Sequence, residues 1–516
     1  MSESAQTPAV TEPKVKEEAP KPKVVDEKEK YLKPYWYPKS IGEQNPILKS
    51  LKDNVNRGSP LTKAIDIIVK LVLITIPTLI VLKIFKFWKS YLDLSSGIFV
   101  EENKKVLLIG FALVLIAVGG LIYFWATRRR RVLLVDFACC WPSDELKMTA
   151  DGVKDIIVKC GLFEQEYIDF QCKLLYRTGL GDETYLPRPF HQYPFKTTMA
   201  LSREECEIVM KNCCDQLFEQ TKINPQKDID IVICNCSLFN PTPSISAMLM
   251  NMYKLKPTCK NYNLAGMGCS AGLVSIDLAR DLLNVYPNIN LLVFSTENIT
   301  QNWYDGKEKG MLISNTLFRM GGAAILLSNK RKWLNKAKFE LLTTVRIHHG
   351  KFDDSYKAVF QYEDKDGKVG VKIGRELLKC VTRALTQNMG ILMPQVISYR
   401  DMINFVIFFI KKKLGKTAKG EEFMPNFRET FQAYCIHAGG RAIIDGLQDN
   451  LKLTDEDCMP SRSTLYRVGN TSSSSVWYEM KFIERIETLK KGDLVWQVAF
   501  GSGLKCNSCV WRKICN

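Results

Sequence analysis

An uncharged apolar run of 20 residues, Val106 to Trp125, constrains this chain more than any other feature. At about 1.5 Å of rise per residue it makes a helix of about 30 Å, the depth of a bilayer's hydrocarbon core, with its backbone polar groups bonded internally. The run predicts a transmembrane helix. An earlier run, Leu71 to Leu82, lies between Lys70 and Lys83 and leads into Ile84-Phe85-Lys86-Phe87-Trp88-Lys89. It spans only if those flanking lysines extend toward the two interfaces, and is otherwise re-entrant or interfacial. Arg128 to Arg131 directly follow the longer run and belong on the cytosolic side. Two spans then leave both termini in the cytosol. Lysines 83, 86, 89, 104 and 105 fall in the intervening loop, so this orientation rests mainly on the arginines. A signal peptide is not expected, because the apolar stretches start far from Met1 and the first residues are acidic, basic and proline-rich.

With 516 residues and 46% hydrophobic content, the chain holds enough apolar material for a large core as well as an anchor. Residues 1–60 read as a cytosolic tail, disordered at least over the first 35 or so, where Pro, Lys, Glu and Val dominate. Residues 61–131 form the anchor, with apolar segments at about 66–87 and 106–125. Beyond Arg131, strand-like runs (Arg131 to Phe137, Ile229 to Cys234, Ile289 to Ser295, Ala323 to Leu327) alternate with helical patterns, an α/β signature. A break near Ser328 to Lys336 divides this part into 132–335 and 336–516. The net charge of +17 is dispersed, with no aromatic-basic nucleic-acid module, and suits a membrane surface better. The 17 cysteines show no small-domain disulfide pattern. Cys506-x-x-Cys509 with Cys515 finds no fourth ligand at zinc spacing, so neither metal nor cofactor is expected.

The most informative short segment is Asn263-Leu264-Ala265-Gly266-Met267-Gly268-Cys269-Ser270-Ala271-Gly272. Leu273, Ile276, Ala279 and Leu283 follow at helical spacing over Ser270 to Asn284, which puts Cys269 at the positive end of a helix, where a thiolate is stabilised. The local residues leave two readings: a nucleophile presented among glycines, or a small cysteine in a packing corner. The chain has four histidines, His191, His348, His349 and His437. His437, where an apolar run meets Gly439 and Gly440, either faces a cleft as a base or is a bonded core histidine. Asn470 precedes the run Ser472 to Ser475 and then Val476-Trp477-Tyr478, an ordered loop rather than a linker.

Together these motifs resemble the plant-type 3-ketoacyl-CoA synthases, condensing enzymes of very-long-chain fatty acid elongation within the thiolase-like superfamily, which also holds the type III polyketide synthases. The resemblance runs from about Val132 to Trp511. It includes Val135-Asp136-Phe137-Ala138-Cys139, Phe318-Arg319-Met320-Gly321-Gly322-Ala323-Ala324, Val345-Arg346-Ile347-His348 and Gly501-Ser502-Gly503-Leu504-Lys505-Cys506-Asn507-Ser508, in family order. It implies an α/β thiolase-like layered fold of two related halves, preceded by an N-terminal transmembrane hairpin. It also implies a catalytic triad of Cys269, His437 and Asn470, with Cys269 in the first half and the other two in the second. His348 matches an additional family histidine, and Gly501, Ser502 and Gly503 form a supporting loop that offers a backbone N–H to an oxyanion. Related members often carry further histidines where this chain has Ala433 and Tyr466.

The reaction implied is a decarboxylating condensation of malonyl-CoA with a long-chain acyl-CoA held on Cys269, with His437 also helping to form the thiolate. The resemblance further implies a homodimer, elongase reductases and a dehydratase as partners, and the endoplasmic reticulum membrane with the catalytic domain facing the cytosol. Rival readings are a polyketide-synthase-like enzyme, a degradative thiolase and an inactive membrane-bound acyl-binding subunit. The segment Met402 to Lys413, strongly apolar with a basic end, is either an interfacial helix or a core helix.

Overall fold

The computed structural model describes residues 130–397, 399–414, 427–486 and 489–515, with residues 112–113, 115–116 and 118–120. Those few residues of the Val106–Trp125 run are helical. The expected tail over 1–60, the first apolar segment and most of the second lie outside the described residues. Among the described residues no helix is long and apolar enough to cross a membrane.

Thirteen strands are described: β1 (Val132–Cys139), β2 (Lys147–Met148), β3 (Thr184–Tyr185), β4 (Ile231–Asn235), β5 (Lys260–Leu264), β6 (Asn290–Thr296), β7 (Gly322–Ser328), β8 (Phe339–His348), β9 (Val359–Glu363), β10 (Val369–Ile373), β11 (Ala433–Ile436), β12 (Leu494–Gly501) and β13 (Lys505–Lys513). Nine of them form one hydrogen-bonded sheet in the order β11-β12-β13-β8-β1-β7-β6-β4-β5, and the other four make two small hairpins. The principal helices are α1 (Met199–Thr221), α2 (Ala271–Val285), α3 (Leu377–Val396), α4 (Tyr399–Lys413), α5 (Arg441–Leu451), α6 (Asp455–Val468) and α7 (Ser475–Arg485).

Strands β4, β6 and β7 are buried at every position, as continuous apolar runs must be when both sheet faces are covered. Alternate residues go to different cores. Ile231 and Ile233 join a central cluster with Leu273 and Ile276 of α2 and Val476, Trp477 and Met480 of α7. Val232 and Cys234 join an outer cluster with Val209, Met210 and Leu217 of α1. On the other run of strands, Ala433 and Cys435 face the central cluster, while Tyr434 and Ile436 face α3, α5 and α6. The result is five layers, helix, sheet, helix, sheet, helix, with α2 and α7 in the middle.

Two stretches of the sheet share one connectivity. β4 is parallel to β6, β6 antiparallel to β7, and β7 antiparallel to β1. In the same way β11 is parallel to β12, β12 antiparallel to β13, and β13 antiparallel to β8. The two stretches meet at the antiparallel pair β1–β8. Each inserts a central helix, α2 or α7, before its third strand in sequence. Cys506 and Cys509, three apart on β13, fall on opposite faces, one in the outer and one in the central cluster, and so do not converge on an ion. All 17 cysteines are free thiols. Among the described residues no group of three or more His, Cys, Asp or Glu is placed to hold a metal.

Candidate active site

From β5 the chain turns through Gly266 and then Gly268, at φ +64° and +68°, into a 3-10 turn, Gly268–Ser270, that leads directly into α2. The left-handed backbone needs glycine there, and packing needs it at Gly268 as well. A Cβ on Gly268 would lie 2.3 Å from the backbone N of Ser502 and 3.0 Å from Cα of Gly501. The Gly501–Gly503 loop thus meets the Cys269 turn backbone to backbone. One turn on, a Cβ on Gly272 would lie 2.3 Å from the carbonyl O of Ser473, so the starts of α2 and α7 also touch.

The Cys269 thiol is partly buried, and its pKa is pushed up to about 11. Burial is the main cause. A hydrogen bond with the Ser472 side chain lowers it, and the negative charge of Glu297 raises it. The helix terminus expected to favour the thiolate is present, but desolvation outweighs it, and the resting sulfur carries its proton.

His437 lies one residue beyond β11 and extends its ladder, its N–H donating to Val498 O at 3.0 Å. The ring is buried beside Gly439, where a Cβ would stand 3.2 Å from Cδ2 and 3.3 Å from Nε2. Burial pushes its pKa down to about 4, so the imidazole is neutral near pH 7. Nδ1 is buried without a hydrogen-bond partner. No acceptor therefore holds a proton on Nδ1, and Nε2–H is available to a substrate oxygen. The backbone around His437 is braced by buried Glu479 of α7, which accepts from Ala438 N at 3.1 Å and from the Ser461 hydroxyl at 2.8 Å. Burial holds that carboxyl well above the usual range.

Asn470 is fixed at every backbone group and through its side chain. Its N–H donates to Leu317 O at 3.2 Å, and its carbonyl accepts from Arg319 N at 2.9 Å. Nδ2 donates to Gly439 O at 3.2 Å, and Oδ1 accepts from Ser472 N at 2.8 Å. Gly439 therefore links Asn470 to the His437 ring, and Ser472 links it to the Cys269 thiol. The three candidate residues gather around these two intermediates.

Ser472, Glu297 and Glu479 are the residues that sequence reasoning missed. Ser472 takes φ +56°, uncommon for a residue with a Cβ, and its hydroxyl donates to Glu297 at 3.1 Å. Glu297, just past the end of β6, also accepts from Leu238 N at 3.0 Å and from the Cys236 thiol at 3.2 Å, and burial raises its pKa. An acid soon after the apolar run Leu291 to Phe294 was the available signal. His348 ends β8, largely exposed, and reaches the far end of the loop. Its Nε2 stands 3.6 Å from the place of a Cβ on Gly503, and Lys505 Nζ stands 3.5 Å from the same place. Burial, then Lys505 and Arg346, lower its pKa. His349 is bound to Gln387 at 2.6 Å and His191 to Leu186 O at 3.1 Å. At the two positions where the resemblance led to an expectation of further histidines, Ala433 opens β11, and the Tyr466 ring fills the space beside Gly181, 2.6 Å from where a Cβ would be.

A family model described as FAE1/type III polyketide synthase-like protein matches residues 124–414, and one described as the 3-oxoacyl-[acyl-carrier-protein] synthase III C terminal matches 428–513. Among curated proteins, 3-ketoacyl-CoA synthase 9 of Arabidopsis thaliana is 48% identical over 401 residues, covering 78% of each chain. 3-ketoacyl-CoA synthase 11 of the same plant is 49% identical over 393 residues, covering 76% of this chain and 77% of its own. Among solved structures, the type III polyketide synthase domain of Steely1 from Dictyostelium superposes with a TM-score of 0.58 at 15% identity, covering 74% of this chain and 99% of that one. Tetrahydroxynaphthalene synthase from Streptomyces coelicolor does so with 0.57 at 17% identity and the same coverage. These distant structures bear on the fold alone, which is the thiolase-like fold of the type III polyketide synthases. With a family model matching more than half its length and relatives near half identical, the chain belongs to the FAE1/type III polyketide synthase-like family, among its 3-ketoacyl-CoA synthases.

Proposed function

We propose that this protein is a very-long-chain 3-oxoacyl-CoA synthase that condenses malonyl-CoA with a long-chain acyl-CoA. The observation that carries the reading is the gathering of the Cys269 turn, the Gly501–Gly503 loop, His437 and Asn470 around Gly439 and Ser472, in a chain 48% identical to a 3-ketoacyl-CoA synthase.

In the first half-reaction the Cys269 sulfur attacks the acyl-CoA carbonyl, the acyl–sulfur bond to CoA breaks, and the thiol proton ends on the departing CoA sulfur. The oxyanion formed on the way is held by the backbone N–H of Cys269 and one from the Gly501–Gly503 loop. In the second, malonyl-CoA loses CO2, and the electron pair of the broken carbon–carbon bond becomes an enolate. Its oxygen takes hydrogen bonds from His437 Nε2–H and the free Nδ2 hydrogen of Asn470. The enolate carbon then attacks the acyl-cysteine, and the sulfur leaves as a thiolate that takes a proton from solvent. A neutral His437 suits this, since it donates a hydrogen bond without having to give up a proton. No step calls for a metal or a redox cofactor. His348 acts from the outer end of the loop as a supporting residue.

The apolar segments at about 66–87 and 106–125 anchor the enzyme as a hairpin, and Arg128 to Arg131 keep its catalytic domain on the cytosolic face of the endoplasmic reticulum. A homodimer, with elongase reductases and a dehydratase acting next, completes the proposal. The test is to incubate microsomes with radiolabelled malonyl-CoA and a panel of saturated acyl-CoAs, comparing wild type with Cys269→Ala. Loss of 3-oxoacyl-CoA in the variant supports the reading. A well-folded wild type that makes none, with any primer and with the partner enzymes added, overturns it in favour of an acyl-binding subunit.

A further inference from the structure

Helix α4 sits badly with a soluble surface. Ile403, Val406, Ile407, Ile410 and Leu414, spaced i, i+3, i+4, i+7 and i+11, make one stripe along it, and they are 58%, 50%, 44%, 51% and 63% exposed. Phe409, 40% exposed, widens the stripe at its edge. Apart from Leu113, Ile116 and Val118 in the N-terminal apolar run, the other large exposed apolar side chains among the described residues are scattered through the fold, as on most protein surfaces. Here six of them fall within twelve residues. A core helix, one of the two readings open for this segment, would bury that stripe, so the core reading is excluded.

Charge and breadth select what covers it. Lys411, Lys412 and Lys413 close the helix on three successive sides, and Lys412 and Lys413 stand over the Phe408 and Phe409 rings at 5.7 and 5.8 Å. Aromatic and aliphatic side chains that end in lysines match the boundary between acyl chains and anionic headgroups. A groove on a protein partner would cover a narrow seam of such a helix. This apolar arc, from Phe409 round to Ile407, spans about 160° at 100° per residue, which a surrounding lipid phase covers more readily. Fifteen residues are too few to cross a bilayer. We infer that α4 lies flat in an anionic lipid surface, a second membrane contact made by the catalytic domain itself and separate from the N-terminal apolar segments. It would hold the domain against the bilayer in which its acyl-CoA substrates partition.

The test uses the full chain reconstituted in phosphatidylcholine vesicles, with or without phosphatidylserine. A photoreactive benzoylphenylalanine replaces Ile407, Val158 or Leu113 in turn. Val158 is an exposed apolar residue on a different helix, and Leu113 lies within the Val106–Trp125 run. Condensing activity in each probe-bearing protein confirms that it is folded. The expected result is lipid adducts at Ile407 roughly five-fold or more above those at Val158, rising further with phosphatidylserine. Combining Lys411→Glu, Lys412→Glu and Lys413→Glu should remove that rise. Labelling at Leu113 but not at Ile407 overturns the inference, as does cross-linking of Ile407 to a second copy of the chain or to another protein. If neither Leu113 nor Ile407 labels, the inference falls together with the transmembrane reading of the anchor.

Discussion

The two central helices begin in the same way and end up with different chemistry. α2 and α7 each follow a 3-10 turn, Gly268–Ser270 or Ser472–Ser474, and each stands before the third strand of its half of the sheet. At the first start the polar group, the Cys269 thiol, is left half open. At the second, Asn470, Thr471, Ser472, Ser473 and Ser474 are all buried and bonded. In the proposed mechanism one end of this repeated connectivity supplies the nucleophile, and the other supplies the frame that holds it. The contrast teaches that a shared connectivity supplies position, while burial separates the open end from the closed one.

The sharpest way to break the comparison is to remove its reactive side. Cys269→Ala should abolish the acyl-enzyme and lower 3-oxoacyl-CoA formation on the order of 10⁴-fold or more, read by radiolabelled product and by intact-protein mass. If product survives, the α2 turn is not the nucleophilic end. Next, the frame's own donors: His437→Ala and Asn470→Ala should each cost about 10²- to 10³-fold in kcat while acyl loading from acyl-CoA persists. Equal loss of loading would show that the second half does more than hold the enolate.

A third experiment addresses the contact between the two helix starts. Gly272→Ala places a Cβ 2.3 Å from Ser473 O, so it should lower stability by about 1–3 kcal/mol in a thermal melt. The smallest effect concerns protons. With Cys269 near pKa 11 and His437 near 4, alkylation of Cys269 by iodoacetamide should climb steadily with pH from 6 to 9. There should be no plateau and no inflection at the ordinary histidine value, because His437 stays neutral throughout that range. Ser472→Ala should push the thiol further up and Glu297→Gln should bring it down. An alkylation rate that is flat below pH 8 would reveal a pre-formed thiolate–imidazolium pair and contradict the neutral resting state.

Much of this was legible from residue order. The wholly buried strands β4, β6 and β7 were apolar runs within a residue or two of their ends, and the helix after Cys269 was marked by its apolar spacing. Cys269 was marked by its glycines, because turning and backbone contact both demand them. The repeat was hidden, since it lies in strand order and direction while the two helix starts, Gly-Cys-Ser and Ser-Ser-Ser, share little. Glu297 and Glu479 were hidden for another reason. Each acts on a residue distant in sequence, Glu297 through Ser472, 175 positions away, and an acid's burial cannot be told from its neighbours. The helix over 402–413 was visible, but its exposure depended on packing that periodicity does not report.

The neutral thiol at Cys269 has a consequence for how such a protein ages. Oxidants and disulfides attack thiolates, and burial has pushed up the pKa of this sulfur along with most of the chain's cysteines, Cys139, Cys206, Cys435 and Cys506 among them. A sulfur that burial keeps protonated is chemically quiet. Peroxide should spare it, and an electrophile that inactivates it selectively has to look like an acyl chain.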